Sequence, residues 1–269
     1  MDLYIDRTNW KFGKKDINFL VLAAKIKGIT IPIFWELLDH KGNSDYESRL
    51  RLMEKFKTTF GVSRIRSFMA DREFIGKEWF DYLLQHKIRF YIRIKDNRYL
   101  EWVKDHLKGG AGEKGKRISR EFFQHLKGPE ESRVIYNALH DQRINVAGTR
   151  LKSGELLLVC SNDSNMKRIL QTYKDRWQIE MLFKNMKTQG MNLEKTHMKC
   201  LKRLHALMVL VAMALTLCCL VGVSVNCVYK RTVKTPLYSY FTRGFRRLKK
   251  CRGVCDIWDY ILMFFKSEG

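Results

Sequence analysis

Prolines are nearly absent from this chain, three in 269 residues, and glycine, at 17, is not enriched. That composition excludes collagen-like and low-complexity chains. No C-x-x-C pair occurs among the seven cysteines (160, 200, 218, 219, 227, 251 and 255), which argues against a structural zinc site. No H-E-x-x-H pair occurs either. The cysteine number is odd and several lie in apolar stretches, so reduced, buried thiols in a cytoplasmic protein are the plain reading. No signal peptide is expected, because the strand-like run Leu3-Tyr4-Ile5 follows Met1 almost at once. No internal repeat is visible.

Acidic residues are scarce. Asp and Glu total 28 against 51 Lys and Arg, a net charge of +23. Between Lys195 and Cys255 there are thirteen Lys or Arg and no Asp or Glu. Small-molecule enzymes rarely carry such an excess, whereas a cationic surface gains affinity for nucleic acid by releasing condensed counterions. An anionic membrane would also fit, and composition does not separate the two. The run from Ala206 to Tyr229 lacks charge altogether, and by length it is a membrane-span candidate. Its Thr216, Ser224, Asn226 and three cysteines favour a helix buried on all sides in a large core, so no membrane partner is expected.

What is present suffices for a globular core. Hydrophobic residues make up 45% of a length suited to one domain, or one domain with an insertion. Residues 3–7, 17–27 and 29–38 read as strands, Gly28 separating the last two. Ser44-x-x-Glu47 reads as a capping box opening a helix whose stripe is Tyr46, Leu50, Met53, Phe56 and Phe60. A strand at 64–69, a helix near 74–86 and a strand at 88–94 follow. Residues 95–132 are polar and loop-like. Three short strands, 133–139, 143–150 and 154–160, precede one helix from about Asn165 to Gly190. This order predicts an α/β fold with a mixed sheet and flanking helices. It divides the chain into core residues 1–94, a β-rich insertion 95–164, and a second core part 165–269. Gly110-x4-Gly115-Lys116 superficially matches a phosphate-binding loop, but Arg117 replaces the Ser or Thr that should hold Mg²⁺.

The chemistry-bearing residues sit at three places. On the late helix, Tyr173, Arg176, Glu180, Lys184 and Lys187 are spaced 3, 4, 4 and 3. At about 100° per residue they share an arc of roughly 80°. That stripe is a solvated, salt-bridged face or a carboxylate presented among cations. Asp6 interrupts the first strand and Asp71 ends Ser67-Phe68-Met69-Ala70. Each could simply cap a turn or pair with Arg7 or Arg72. Two strand acids and a helix acid in a strongly basic chain also meet the needs of phosphoryl transfer on DNA. Two divalent ions held by hard carboxylate oxygens would activate the attacking oxygen and stabilise the leaving one. Towards the C-terminus, Lys230, Arg231, Arg243, Arg246 and Arg247 alternate with Tyr238, Tyr240, Phe241 and Phe245, which suits a DNA-backbone surface anchored by its aromatics.

Tyr173-x2-Arg176-x3-Glu180-x6-Lys187 resembles the Y-R-E-K signature of bacterial transposases of the insertion-sequence-four group. Ala70-Asp71-Arg72-Glu73-Phe74-Ile75-Gly76 is similar to that family's second-aspartate motif, and Leu3-Tyr4-Ile5-Asp6-Arg7-Thr8 to its first. The resemblance implies a ribonuclease-H-like fold with a β-rich insertion before the glutamate helix. It implies a DDE mechanism of cut-and-paste transposition. Water attacks at the element end, and the freed 3′ hydroxyl makes a hairpin that is reopened and joined to target DNA. Asp6, Asp71 and Glu180 would ligate Mg²⁺ or Mn²⁺, two ions, while Tyr173, Arg176 and Lys187 would hold element-end phosphates. The partners implied are double-stranded DNA, at element ends and target, and a second copy in a homodimer on DNA.

Two departures from the family pattern stand out. The chain starts almost at the first aspartate strand, so the N-terminal end-binding region of relatives is expected to be missing. Residues 133–164 contain no Trp, which some relatives use there to stack on a flipped base. A truncated, non-catalytic DNA-binding remnant that inhibits transposition is therefore an alternative reading. A basic protein anchored in a membrane by 206–229 is another.

Overall fold

In the computed structural model the residues described are 1–12, 15–38, 42–104, 113–140, 143–198, 200–233, 235–251, 258 and 262. The chain opens with three antiparallel strands, β1 (Asp2–Phe12), β2 (Lys15–Ile26) and β3 (Ile29–Leu38). Strand β1 is longer than the expected 3–7. Its outer half alternates buried Thr8 and Trp10 with exposed Asn9 and Lys11, and pairing with β2 runs on to Phe12↔Lys15. That period of two marks a half-buried strand.

Helix α1 (Tyr46–Phe60) follows. Its N-cap is Asp45, whose side chain accepts from the Ser48 amide, and not Ser44 as the capping-box reading expects. Ser44 instead accepts from Arg49 Nε and donates to Glu73. The helix buries Leu52, Met53 and Phe56, while Phe60 from the expected stripe stays 38% exposed. Strand β4 (Ser67–Ala70), helix α2 (Lys77–Gln85) and strand β5 (Phe90–Ile94) come next, and both strands add to the sheet in parallel: β4 beside β1, β5 beside β4.

The polar stretch expected to be a loop contains structure. Strands β6 (Tyr99–Lys104) and β7 (Glu113–Ile118) form a separate antiparallel ribbon, followed by the short helix α3 (Ser119–Phe123). Gly115 and Lys116 lie within β7, paired with Trp102 and Glu101, so they do not form a phosphate-binding loop. Gly109 to Gly112 lie outside the described residues. Strands β8 (Ser132–Leu139), β9 (Ile144–Arg150) and β10 (Leu156–Ser161) then return to the main sheet, β10 antiparallel to β5. The result is one eight-stranded mixed sheet in the order β3-β2-β1-β4-β5-β10-β9-β8.

Where one helix from 165 to 190 is expected, two are present, α4 (Met166–Lys174) and α5 (Trp177–Lys187). At their junction the amides of Asp175, Arg176, Gln178 and Ile179 bond three residues back, to Thr172, Tyr173, Asp175 and Arg176. This tightened turn breaks the four-residue ladder, and Lys25 on β2 fixes it through a 2.8 Å ion pair with Asp175. Helix α6 (Leu201–Ser224) and the basic helix α7 (Tyr240–Leu248) follow.

Strand alternation divides the core into two layers. Leu3, Ile5, Leu20, Leu22, Phe68 and Ala70 pack with α1 and α2 on one face. Tyr4, Phe19, Val21 and Met69 pack with α4, α5 and α6 on the other. Each fully buried Leu, Ile or Phe contributes about 1.5–3 kcal/mol relative to exposure. Helix α6 corrects the expectation of burial on all sides. It buries Leu204, Met208, Val211 and Leu215 against the second layer, while Leu210 and Met213 are 63% and 65% exposed. By length and composition alone it could cross a membrane.

Candidate active site

The parallel register places the first two acids. Pairing of β1 with β4 ends at Ile5↔Ala70, so Asp6 and Asp71 are the next residues on adjacent strands. By parity with Tyr4 and Met69, both belong to the α4–α6 face. Helix α5 lies on that face through Ile179, Leu182, Phe183 and Met186, and it carries Glu180 in its first turn. Arg176, at the α4–α5 junction, joins the pieces. Its Nη1 lies 3.4 Å from Asp6 Oδ2, its Nη2 donates to Glu180 Oε1, and its guanidinium lies 5.7 Å from the centre of the Tyr173 ring.

Burial pushes the Asp6 carboxyl up to about 7, against the pull of Arg176 and the Arg7 amide, with Asp71 and Glu73 adding to the rise. Burial opposes the charge of Arg176, but Tyr173, Asp6, Glu180 and Asp71 outweigh it and hold that charge firmly. Burial also raises Tyr173. Asp71 Oδ1, Tyr173 Oη and Arg176 Nε are all buried without a hydrogen-bond partner. Buried polar atoms left unpaired are costly, and three at one place indicate a site built for something further.

These observations suit a divalent cation. An orphaned carboxylate oxygen on Asp71, a desolvated Asp6 and an exposed Glu180 offer hard oxygen donors on one face. As the chain stands, no three His, Cys, Asp or Glu side chains among the described residues are grouped as a metal cluster, and Arg176 bridges Asp6 and Glu180 instead. A cleft of about 390 Å³ opens beside them, lined by Asp6, Thr8, Glu180, Lys184, Lys187 and Glu194.

The family description "transposase DDE domain" matches residues 3–217 of this chain. The chain belongs to the transposase DDE domain family. A cryo-EM structure of the piggyBac transposase synaptic complex with hairpin DNA is similar at 12% identity and a TM-score of 0.46, over 98% of this chain and 57% of the other. The chain thus spans little more than half the length of that protein. No curated protein sequence matches it.

The matched span of this DDE domain includes most of α6, so that apolar helix is part of the domain. Lys184 is exposed in the cleft. Lys187 Nζ is already engaged, donating to the Asn9 carbonyl at 3.1 Å and pairing with Glu194 at 3.0 Å, which ties the end of α5 to β1. Lys230, Arg231, Arg243, Arg246 and Arg247 lie apart from the cleft, on α7 and the segment before it. Arg246 stacks on Tyr238, its guanidinium 4.0 Å from the ring centre. Arg243 is held by the Val225 carbonyl and the Tyr240 ring.

Sequence reasoning did not single out the pair behind the acids. The Arg7 amide donates to Asp6, but its side chain reaches the Glu73 carboxylate, to which Ser44 also donates, while Arg49 holds the Glu73 backbone carbonyl. The signal was available: Arg7 and Glu73 stand inside the two aspartate motifs, one and two residues past the acids.

Proposed function

We propose that this chain is the catalytic domain of a DNA transposase, cleaving and joining strands at the ends of an insertion sequence by a cut-and-paste route. The observation that carries the proposal is the Arg176 bridge between Asp6 and Glu180, on the face where Asp71 Oδ1 lies buried and unpaired. Two Mg²⁺ or Mn²⁺ ions, held by these carboxylates, would supply Lewis-acid activation of the attacking oxygen and stabilisation of the leaving one.

The chain's own residues supply placement and charge. Asp6 stands on β1 and Asp71 directly after β4, both strands fixed by the core, so neither needs much rearrangement. Glu180 is 45% exposed, so its carboxylate is the adjustable member. Lys184 brings positive charge to the cleft mouth, where phosphates of a DNA strand would enter. Tyr173 offers its unpaired hydroxyl to the same strand. The cations of α7 hold the duplex by its backbone without reading sequence. Residues 1–94 and 165–269 form the two halves of the core in this reading and 95–164 the insertion between them. Assignment to the insertion-sequence-four group, cytoplasmic location and a homodimer on element-end and target DNA belong to the same proposal.

The test uses purified chain, pre-cut linear DNA ends and supercoiled plasmid. Strand breakage or joining is expected with Mg²⁺ or Mn²⁺ and none with EDTA. Asp6→Ala, Asp71→Ala and Glu180→Ala, each folded by circular dichroism, should abolish it. A triple variant that keeps metal-dependent breakage would overturn the site. Tight DNA retention with no breakage by wild type would favour the inhibitory remnant.

A further inference from the structure

Arg176 occupies the place where a cation would bind. Its side chain is only 13% exposed, it contacts the carboxylates of Asp6 and Glu180, and its Nε is buried without an acceptor. The residue sits on the tightened α4–α5 junction, so its backbone is fixed while its long side chain spans the gap between β1 and α5. A guanidinium and a divalent ion in such a place repel one another, and burial weakens the screening that would let them coexist. Two acids shared between them satisfy one or the other fully.

We propose that Arg176 is an internal counter-ion that competes with divalent metal for Asp6 and Glu180 and leaves them when a phosphate of the DNA arrives to accept it. The inference rests on the reading of these acids as metal ligands. Its consequence is that metal and DNA load together. Without DNA the guanidinium holds the acids assembled and keeps metal affinity low. With DNA it exchanges carboxylate for phosphate, a partner its planar fork matches equally well. The unpaired Nε supplies a further donor for that phosphate. Arg176 is thus a positioning residue that sets the order of loading.

The experiment reads metal binding and needs no turnover. Free Mn²⁺ is followed by its paramagnetic resonance signal as it is titrated into the full chain, with and without a short DNA duplex. With the duplex present, Asp6→Asn should bind Mn²⁺ more weakly than wild type. If wild type and Asp6→Asn bind Mn²⁺ alike even with the duplex, the metal-ligand reading itself fails. Given binding at the acids, Arg176→Gln and Arg176→Met should bind Mn²⁺ roughly tenfold more tightly than wild type without DNA, a coupling of ordinary size. Arg176→Lys, which keeps the charge, should stay near wild type. The duplex should tighten Mn²⁺ binding in wild type more than in the neutral variants. Folded neutral variants that bind Mn²⁺ no more tightly than wild type would overturn the inference, as would Arg176→Lys behaving like Arg176→Gln.

Discussion

Arg7 Nε donates to both carboxylate oxygens of Glu73, at 2.7 and 2.8 Å. One residue stands next to Asp6 and the other two residues past Asp71, so the pair fastens the turn that carries Asp71 to the strand that carries Asp6. Both side chains are largely shielded, at 18% and 15% exposure; Ser44 donates to the same carboxylate, while Arg49 donates to the Glu73 backbone carbonyl. Glu73→Gln keeps the shape and removes the charge. The expected cost is about 1.5–3 kcal/mol, the range for hydrogen bonds to charged groups, read from urea unfolding. DNA affinity should hold while strand breakage falls. Unchanged stability and breakage would leave the pair without a positioning role.

The second prediction concerns pH. The Asp6 carboxyl rises from its ordinary 3.8 to about 7 because it is buried. Between those values the folded chain keeps a proton that the unfolded chain has released, so stability falls as pH rises. The contribution is fully present below about pH 4 and gone above about pH 7. Urea midpoints of the metal-free chain, compared with Asp6→Asn across that window, should diverge in favour of the asparagine variant as pH rises. Parallel profiles would show that Asp6 titrates like an exposed carboxylate.

How much of this was legible in the sequence depended on the kind of interaction. Asp6 and Asp71 were readable as strand acids because polar residues stand out against the apolar runs before them. Glu180 was readable from its helical stripe. The break at Asp175-Arg176 was not, since no Pro or Gly marks it and a long-range partner, Lys25, fixes it. Strands β6 and β7 were hidden because their ribbon pairs charged residues such as Glu101 and Lys116 outside the main core. The choice of Asp45 over Ser44 as the cap of α1 depended on Arg49 and Glu73, which lie together only in the folded chain. Arg176 was assigned to phosphate by resemblance alone, and its bridge between Asp6 and Glu180 needed the third dimension.

A third prediction follows from the exposed cations of α7 and the residues after it. Arg246, Arg247, Lys249 and Lys250 are exposed while Phe241 is buried beneath them. Replacing the four by Gln should weaken DNA binding uniformly across sequences. The slope of log affinity against log salt should flatten by about 0.9 for each phosphate contact removed. Retained affinity and an unaltered slope would place the DNA elsewhere.

Helix α7 is seated on α6 by glycines. A Cβ on Gly222 would lie 1.8 Å from the Tyr240 carbonyl oxygen, and one on Gly244 1.7 Å from the Cys218 carbonyl oxygen. The helices therefore meet backbone to backbone, a fit that rests on shape and short-range attraction rather than on opposite charges. Ionic strength high enough to screen these arginines and lysines leaves that seat intact, so the cationic face keeps its shape while its field fades and recovers as the salt is diluted.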